Sequence, residues 1–241
     1  MADEPAAWRS AVAEDLLLFA RLHGVELDSE TFDALVAADY PACLTLPSAS
    51  ETETQARQLL AGALGGDSAL TLPLDDLAAD YATLYLNVRF QTSPNESAWI
   101  DKEGLERQEA MFAVREWYKR YGLEAGDWRR RQDDNLSLQL QFLAHVLGQA
   151  QDNDALRPAA EFMDAHLLRW IERYAERVAK RAQTPFYAAL GMLTACYLRG
   201  LRDRLVALAA APYPPEPEPQ RDPKAPAEEP LAYVPGIQPS W

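Results

Sequence analysis

Apolar residues recur at intervals of three and four from Trp8 to Leu208, and no stretch alternates with the period of two that a half-buried strand requires. That pattern confines the chain to helices packed on helices. Trp8, Val12, Leu16 and Phe19 stripe a first helix that Gly24 ends; Asp28 or Ser29 starts a short second one with Phe32, Leu35 and Val36, limited by Pro41. Ser50, followed three residues on by Glu53, reads as a capping box opening a third helix towards Gly65. Pro73 and the acids Asp75 and Asp76 suit the start of a fourth, which carries Leu77, Tyr81, Leu84 and Tyr85. Asn87 to Asn95 reads as a loop. A long helix is expected from about Arg157 to Arg181 on the stripe Met163, Leu167, Trp170, Ile171, Tyr174 and Val178, and a last one from Thr184-Pro185 to Leu208. The expected fold is all-α: a single helical bundle-like domain of about eight to ten helices over residues 1–211.

The rest of the body is organised around Glu96 to Leu147. One amphipathic helix there repeats Met111, Val114, Tyr118 and Tyr121, and a second repeats Leu136, Leu140, Leu143 and Leu147. Gly122 and Gly126 stop the first, and Asp133 or Asp134 is expected to cap the second through a side-chain oxygen. The short polar connector between two buried helices is where a helical protein displays recognition residues.

After Ala211 the composition changes. Residues 212–241 hold ten of the 17 prolines and cannot continue a helix, so they read as a Pro-rich acidic tail, disordered or docked. The tail's charges sum to −3, which leaves −11 of the chain's −14 on the helical body. Such acidity repels nucleic-acid phosphates and suits a basic partner, for example an arginine-bearing peptide. The opening MADEPAAW carries acids where a secretory signal carries bases, and no apolar run approaches spanning length. The expectation is a cytoplasmic protein without stable membrane insertion. Cys43 and Cys196 have no CxxC spacing and no companion histidines, so two buried, reduced thiols are expected.

Chemistry-bearing patterns are sparse. The cluster around Gly62, Gly65 and Gly66 lacks the Lys-Ser/Thr of a phosphate loop. His23, His145 and His166 have no metal-ligand spacing. Asp76 and Asp80 share a helix face, as in diphosphate-binding helical enzymes, but no matching second acidic motif faces them. No nucleophile–base set is apparent. The residues argue for a protein that is not an enzyme, with no metal and no cofactor.

Against that background several short motifs occur in order: Tyr81, Leu84 and Tyr85; then Pro94, Glu96 and Ser97; then Val114-Arg115 with Tyr118 and Gly122-Leu123; then Phe162, His166, Leu167 and Trp170; then Phe186-Tyr187. Their order and spacing resemble the TorD/DmsD/NarJ family of redox-enzyme maturation chaperones, over roughly Trp8 to Leu208. One element departs. Where the family commonly carries Glu-x-Pro-Asp-His before the Leu-rich helix, this chain reads Arg131, Gln132, Asp133, Asp134 and Asn135, keeping only the Asp, as Asp134. The family histidine's role does not carry over to Asn135.

The resemblance implies a cytoplasmic chaperone for the catalytic subunit of a molybdenum-cofactor oxidoreductase. It would bind the twin-arginine leader or an equivalent N-terminal segment, and hold the apoenzyme for cofactor insertion before export. It also implies a homodimer by helix exchange as an alternative to a monomer. Arginines are best held by carboxylates beside an apolar groove. The expected peptide-binding residues are therefore Asp80, Tyr81, Leu84, Tyr85, Trp99, Asp133, Asp134, Asn135, Ser137 and Gln141, with Asp134 accepting a leader arginine. Tyr81, Leu84 and Tyr85 also suit the core, and Arg129, Arg130 and Arg131 suit counter-charges to Asp133 and Asp134. The competing reading is a general helical adaptor that binds through its body or its Pro-rich tail.

Overall fold

The computed structural model describes residues 6–65, 73–87, 92–101, 103–126 and 131–214, and among these the architecture is all-helical. Ten α-helices follow in order: α1 (Ala6–Gly24), α2 (Ser29–Ala37), α3 (Glu51–Ala63), α4 (Leu74–Tyr81), α5 (Ser97–Ile100), α6 (Glu109–Arg120), α7 (Leu136–Gln149), α8 (Arg157–Ala165), α9 (Ile171–Arg181) and α10 (Pro185–Leu208). Among the described residues no helix is long and apolar enough to cross a membrane. The tail beyond Pro214 and the residues Trp128, Arg129 and Arg130 lie outside the described residues.

Local chemistry sets most boundaries. Asp28 caps α2 by accepting from the Thr31 amide at 2.7 Å, and Ser50 caps α3 by accepting from Glu53 N at 3.1 Å. Glu53 turns back to the Ala49 amide, one residue before the box position, and is also paired with Arg57 at 2.7 Å. At the end of α6, Gly122 has φ +68°, a conformation that a side chain would strain. The Leu123 amide reaches back to Tyr118 O and the Gly122 amide to Lys119 O, the paired bonds of a Schellman motif.

Two packings carry the body: α1 lies along α7, and α10 lies along α3 and α9. Val12, Leu16 and Phe19 of α1 and Leu136, Leu140, Leu143 and Leu147 of α7 are almost wholly inaccessible, as their spacing predicts. Trp170, Tyr174, Tyr187 and Tyr197 are almost wholly inaccessible; Tyr197 packs on Phe19 of α1, Tyr187 on Tyr81 and Tyr85, and Trp170 and Tyr174 against Trp99.

Three expectations need correction. The helix expected from Arg157 to Arg181 is two helices, because His166 leaves the helical region (φ −127°, ψ −83°) and Trp170 leaves it again (φ −139°). That break lets His166 point at the Glu96 carboxylate while Leu167 and Trp170 stay buried. The cap of α7 is Asn135, whose Oδ1 accepts from Ser137 N at 3.1 Å; Asp133 and Asp134 are engaged elsewhere. Both cysteines are free, but Cys43 is exposed and Cys196 half-buried, since Cys43 follows the turn after α2 rather than a helix stripe.

Candidate functional site

The connector ahead of α7 is held by the loop Thr92–Ser97, which runs antiparallel to it. Asn95 and Asn135 form an isolated bridge, Leu136 N donates to Pro94 O at 2.7 Å, and Glu96 N donates to Asp134 O at 3.1 Å. Side chains extend the pairing: Asn135 Nδ2 donates to Asn95 Oδ1 at 3.0 Å, and Ser97 N to Asp134 Oδ2 at 2.8 Å. Two segments distant in sequence are thereby made one unit, at the cost of burying a row of polar groups, most of which find partners.

Beneath that unit lies a polar network. Glu96 is fully buried; it accepts from Gln139 Nε2 at 2.9 Å and faces His166 Nδ1 at 3.1 Å. Gln139 Nε2 also reaches Asp134 O at 2.9 Å. The carboxyl of Asp134 is fully buried, and burial raises its pKa above the usual carboxylate value against the lowering effect of its bond to Ser97. Asp134 Oδ1 and Gln139 Oε1 make no hydrogen bond. Asp133 points the other way, its Oδ2 held by Arg115 Nε and Nη2 at 3.0 and 2.6 Å, and its carbonyl accepts from Tyr118 Oη at 2.8 Å. Arg115, on the next helix back, is thus the counter-charge of Asp133. Arg131 instead bonds Gly24 O and Ser137 Oγ, at 2.6 and 3.1 Å, and so ties the connector to the end of α1.

Above the unit opens a small cleft of about 220 Å³, with Leu84, Tyr85 and Leu86 on one wall and Pro94, Asn95, Glu106, Arg131, Gln132 and Asn135 on the other. The apolar wall is a π-helical turn, Ala82–Leu86, that continues α4. Wider turns of this kind are frequent at functional sites because they redirect side chains locally. Leu86 is 71 % exposed there, whereas Leu84 is buried. Tyr85 is fixed from behind. The Thr194 hydroxyl donates to Leu190 O, so it accepts from His23 Nε2–H at 2.8 Å, which leaves His23 Nδ1 to accept from Tyr85 Oη at 2.7 Å. Burial keeps that imidazole neutral, with its pKa pushed down to about 3. Tyr85 also stacks on Tyr81, centroids 4.6 Å apart. On the polar wall three neutral donors converge on half-buried Glu106: Ser93 Oγ at 2.5 Å, Asn95 Nδ2 at 3.1 Å and Gln132 Nε2 at 2.5 Å.

The ten residues singled out by sequence therefore fall into separate places. Leu84, Tyr85 and Asn135 line the cleft; Asp133, Asp134 and Ser137 lie under it with buried side chains. Asp80 is apart from both. It is 2 % exposed and accepts from Thr184 N at 2.8 Å, Thr184 Oγ1 at 2.6 Å and Gln183 N at 3.1 Å, which satisfies the two amides that lead into α10. Tyr81 is core beside it. Trp99 donates to Ser93 O at 2.8 Å and faces a second cavity with Arg173 and Arg177, while Gln141 is exposed on the rim of a third, apolar groove. Glu106, His23, Gln139 and His166 were not singled out. Glu96 and His166 carried a signal, as members of the recognised motifs; Glu106 carried none.

The nitrate reductase delta subunit family matches residues 47–176, more than half of the chain. Over 132 residues the chain is 30 % identical to the chaperone protein TorD of Vibrio cholerae serotype O1 (52 % of this chain, 60 % of the relative). TorD of Ferrimonas balearica is 24 % identical over 181 residues, 75 % of this chain and 83 % of that protein. The Tat proofreading chaperone DmsD of Salmonella typhimurium is 25 % identical over 113 residues, 47 % and 53 % of the two chains. The match to the Vibrio relative thus spans about three fifths of its length. Together the matched segment, the ordered motifs and the all-helical body establish that this chain belongs to the nitrate reductase delta subunit family, among the TorD/DmsD/NarJ proteins.

Proposed function

We propose that the protein is a cytoplasmic, system-specific chaperone that binds the twin-arginine leader, or the equivalent N-terminal segment, of a molybdenum-cofactor oxidoreductase and holds the apoenzyme for cofactor insertion before export. The observation that carries this reading is the cleft at the connector, where the Glu106 carboxylate, held by Ser93, Asn95 and Gln132, shares one lining with the apolar residues Leu84, Tyr85 and Leu86 and with Arg107 and Arg131. A leader needs both features, since its guanidinium groups seek a carboxylate and its apolar stretch seeks dry surface. In this reading Glu106 takes an arginine, Leu84, Tyr85 and Leu86 receive apolar side chains, and Asn135 offers neutral hydrogen bonds. Asp133, Asp134 and Ser137 act from beneath by fixing the connector and Tyr81 by stacking on Tyr85, while Asp80, Trp99 and Gln141 lie outside the cleft. The protein performs no catalysis in this role.

Calorimetric titration with twin-arginine leaders of molybdoenzymes, beside twin-lysine controls, tests the proposal. Saturable binding that weakens with lysine is expected, and Glu106→Gln should weaken it by roughly 1.5–3 kcal/mol while the fold is kept. Absence of saturable binding to any such leader would overturn leader recognition; wild-type affinity in Glu106→Gln would move the arginine contact off the cleft.

A further inference from the structure

A second surface of the body is apolar and open. Leu17 of α1, Leu123 beyond α6, and Leu138, Phe142 and Ala144 of α7 line a groove of about 420 Å³, with Glu124, Gln141 and His145 at its rim. Leu17 is 49 % exposed, although its neighbours Leu16 and Phe19 are fully buried. We infer that the apolar segment Leu231–Trp241 of this same chain seats in that groove, so that the protein covers the surface itself.

Three observations favour this occupant. The first is where the described chain leaves the body. Arg202 is 1 % exposed; it pairs with Asp164 through Nε and Nη2 at 2.9 and 2.7 Å and holds the carbonyls of Ala211 and Pro212 at 2.8 and 3.0 Å. Tyr213 lies over its guanidinium at 4.3 Å, and Pro212 and Pro214 line one surface cavity together with Glu161 and Asp164 of α8. The exit is thus clamped rather than free to issue from any side.

The second is proximity. Phe162, the residue after Glu161 on α8, packs against Phe142 of the groove with centroids 4.7 Å apart, and the Tyr121 ring packs edge-on against both Phe142 and His145, 5.2 and 6.2 Å between centroids. The α8 helix therefore bridges the chain exit to the groove. The sixteen residues from Pro215 to Pro230 can span up to about 55 Å when extended, ample for that path.

The third is chemistry. Residues 215–230 carry five acids and two bases, whereas Leu231–Trp241 has no charged side chain and offers Leu231, Tyr233, Val234, Ile237 and Trp241. Pro235 and Pro239 also remove two backbone donors that an apolar groove would leave unsatisfied. Tethering raises the local concentration of the segment to the order of millimolar, so a weak intrinsic affinity suffices to keep the groove occupied.

Hydrogen exchange on the full chain decides the matter. Amides within 231–241 should exchange at least about tenfold slower than in an isolated peptide of that sequence. Leu17→Asp should abolish this protection while the helical body stays folded, because Leu17 is half-exposed, with only the small drop in Tm that goes with undocking the segment, and replacing the five large apolar residues by Ser in the full-length chain should speed exchange at Leu123 and Ala125. Peptide-like rates in the wild type would overturn the inference. So would protection that survives Leu17→Asp, which would put the segment elsewhere, or protection that disappears on dilution, which would make the occupant a second copy. Leader affinity is not part of the readout, so the test stands whatever binds the connector cleft.

Discussion

Asp134 and Asn135 show how two adjacent residues divide labour at a helix start. Asn135 turns its side chain along the backbone and caps α7, and Asp134 sinks under it to receive the Ser97 amide. The sign of the resulting pH dependence follows from burial. A carboxyl whose folded pKa lies above the unfolded value binds more protons in the folded state, so its contribution to stability is highest below about 3.8 and declines as pH rises through the folded value. Asp134→Asn removes that decline. Urea unfolding from pH 3.5 to 7 should give a variant that gains on the wild type as pH rises; parallel curves would mean that Asp134 is not protonated on folding. Sequence could name Asp134 as special but not say how, because an Asp before a helix looks the same whether it caps, binds or lies buried. Its role depends on Glu96 and Ser97, some 37 residues away, and that pairing has no local signature.

At the scale of elements, the helices were legible because burial on one face imprints a period on the sequence, and capping residues such as Asp28 and Ser50 mark their starts. What escaped was local irregularity whose cause is tertiary. The break at His166 exists because a buried glutamate on another segment claims its ring, and nothing between Arg157 and Arg181 announces it. Asp80 gives the clearest case of a site-like residue with an architectural task. Asp80→Ala would orphan the amides of Gln183 and Thr184 at the start of α10, and a loss of roughly 2–4 kcal/mol is expected in chemical denaturation. Leader affinity of the folded fraction should stay within about twofold, as Asp80 does not line the cleft. A large loss of affinity at unchanged stability would return Asp80 to the binding surface.

For the whole molecule, charge is the property most plainly read from sequence. A body at −11 would attract the twin-arginine leader proposed above from a distance, and such attraction acts mainly on the encounter. Association rates should therefore fall several-fold between 50 and 300 mM salt, with dissociation rates changing much less. Equal sensitivity of both rates would place the charge contribution in the bound contacts instead.

The π-helical turn at Ala82–Leu86 has a consequence for how this region tolerates length changes. A π turn amounts to one extra residue accommodated within a helix. It sets the angle between Asp80, which must face α10, and Tyr85, which must meet His23. Deleting one residue from this turn would restore ordinary winding and rotate one of the two by about 100° relative to the other. Cap and cleft could then no longer be served by the same rod. The segment should accept many substitutions on its outer face, yet remain intolerant of a single-codon deletion.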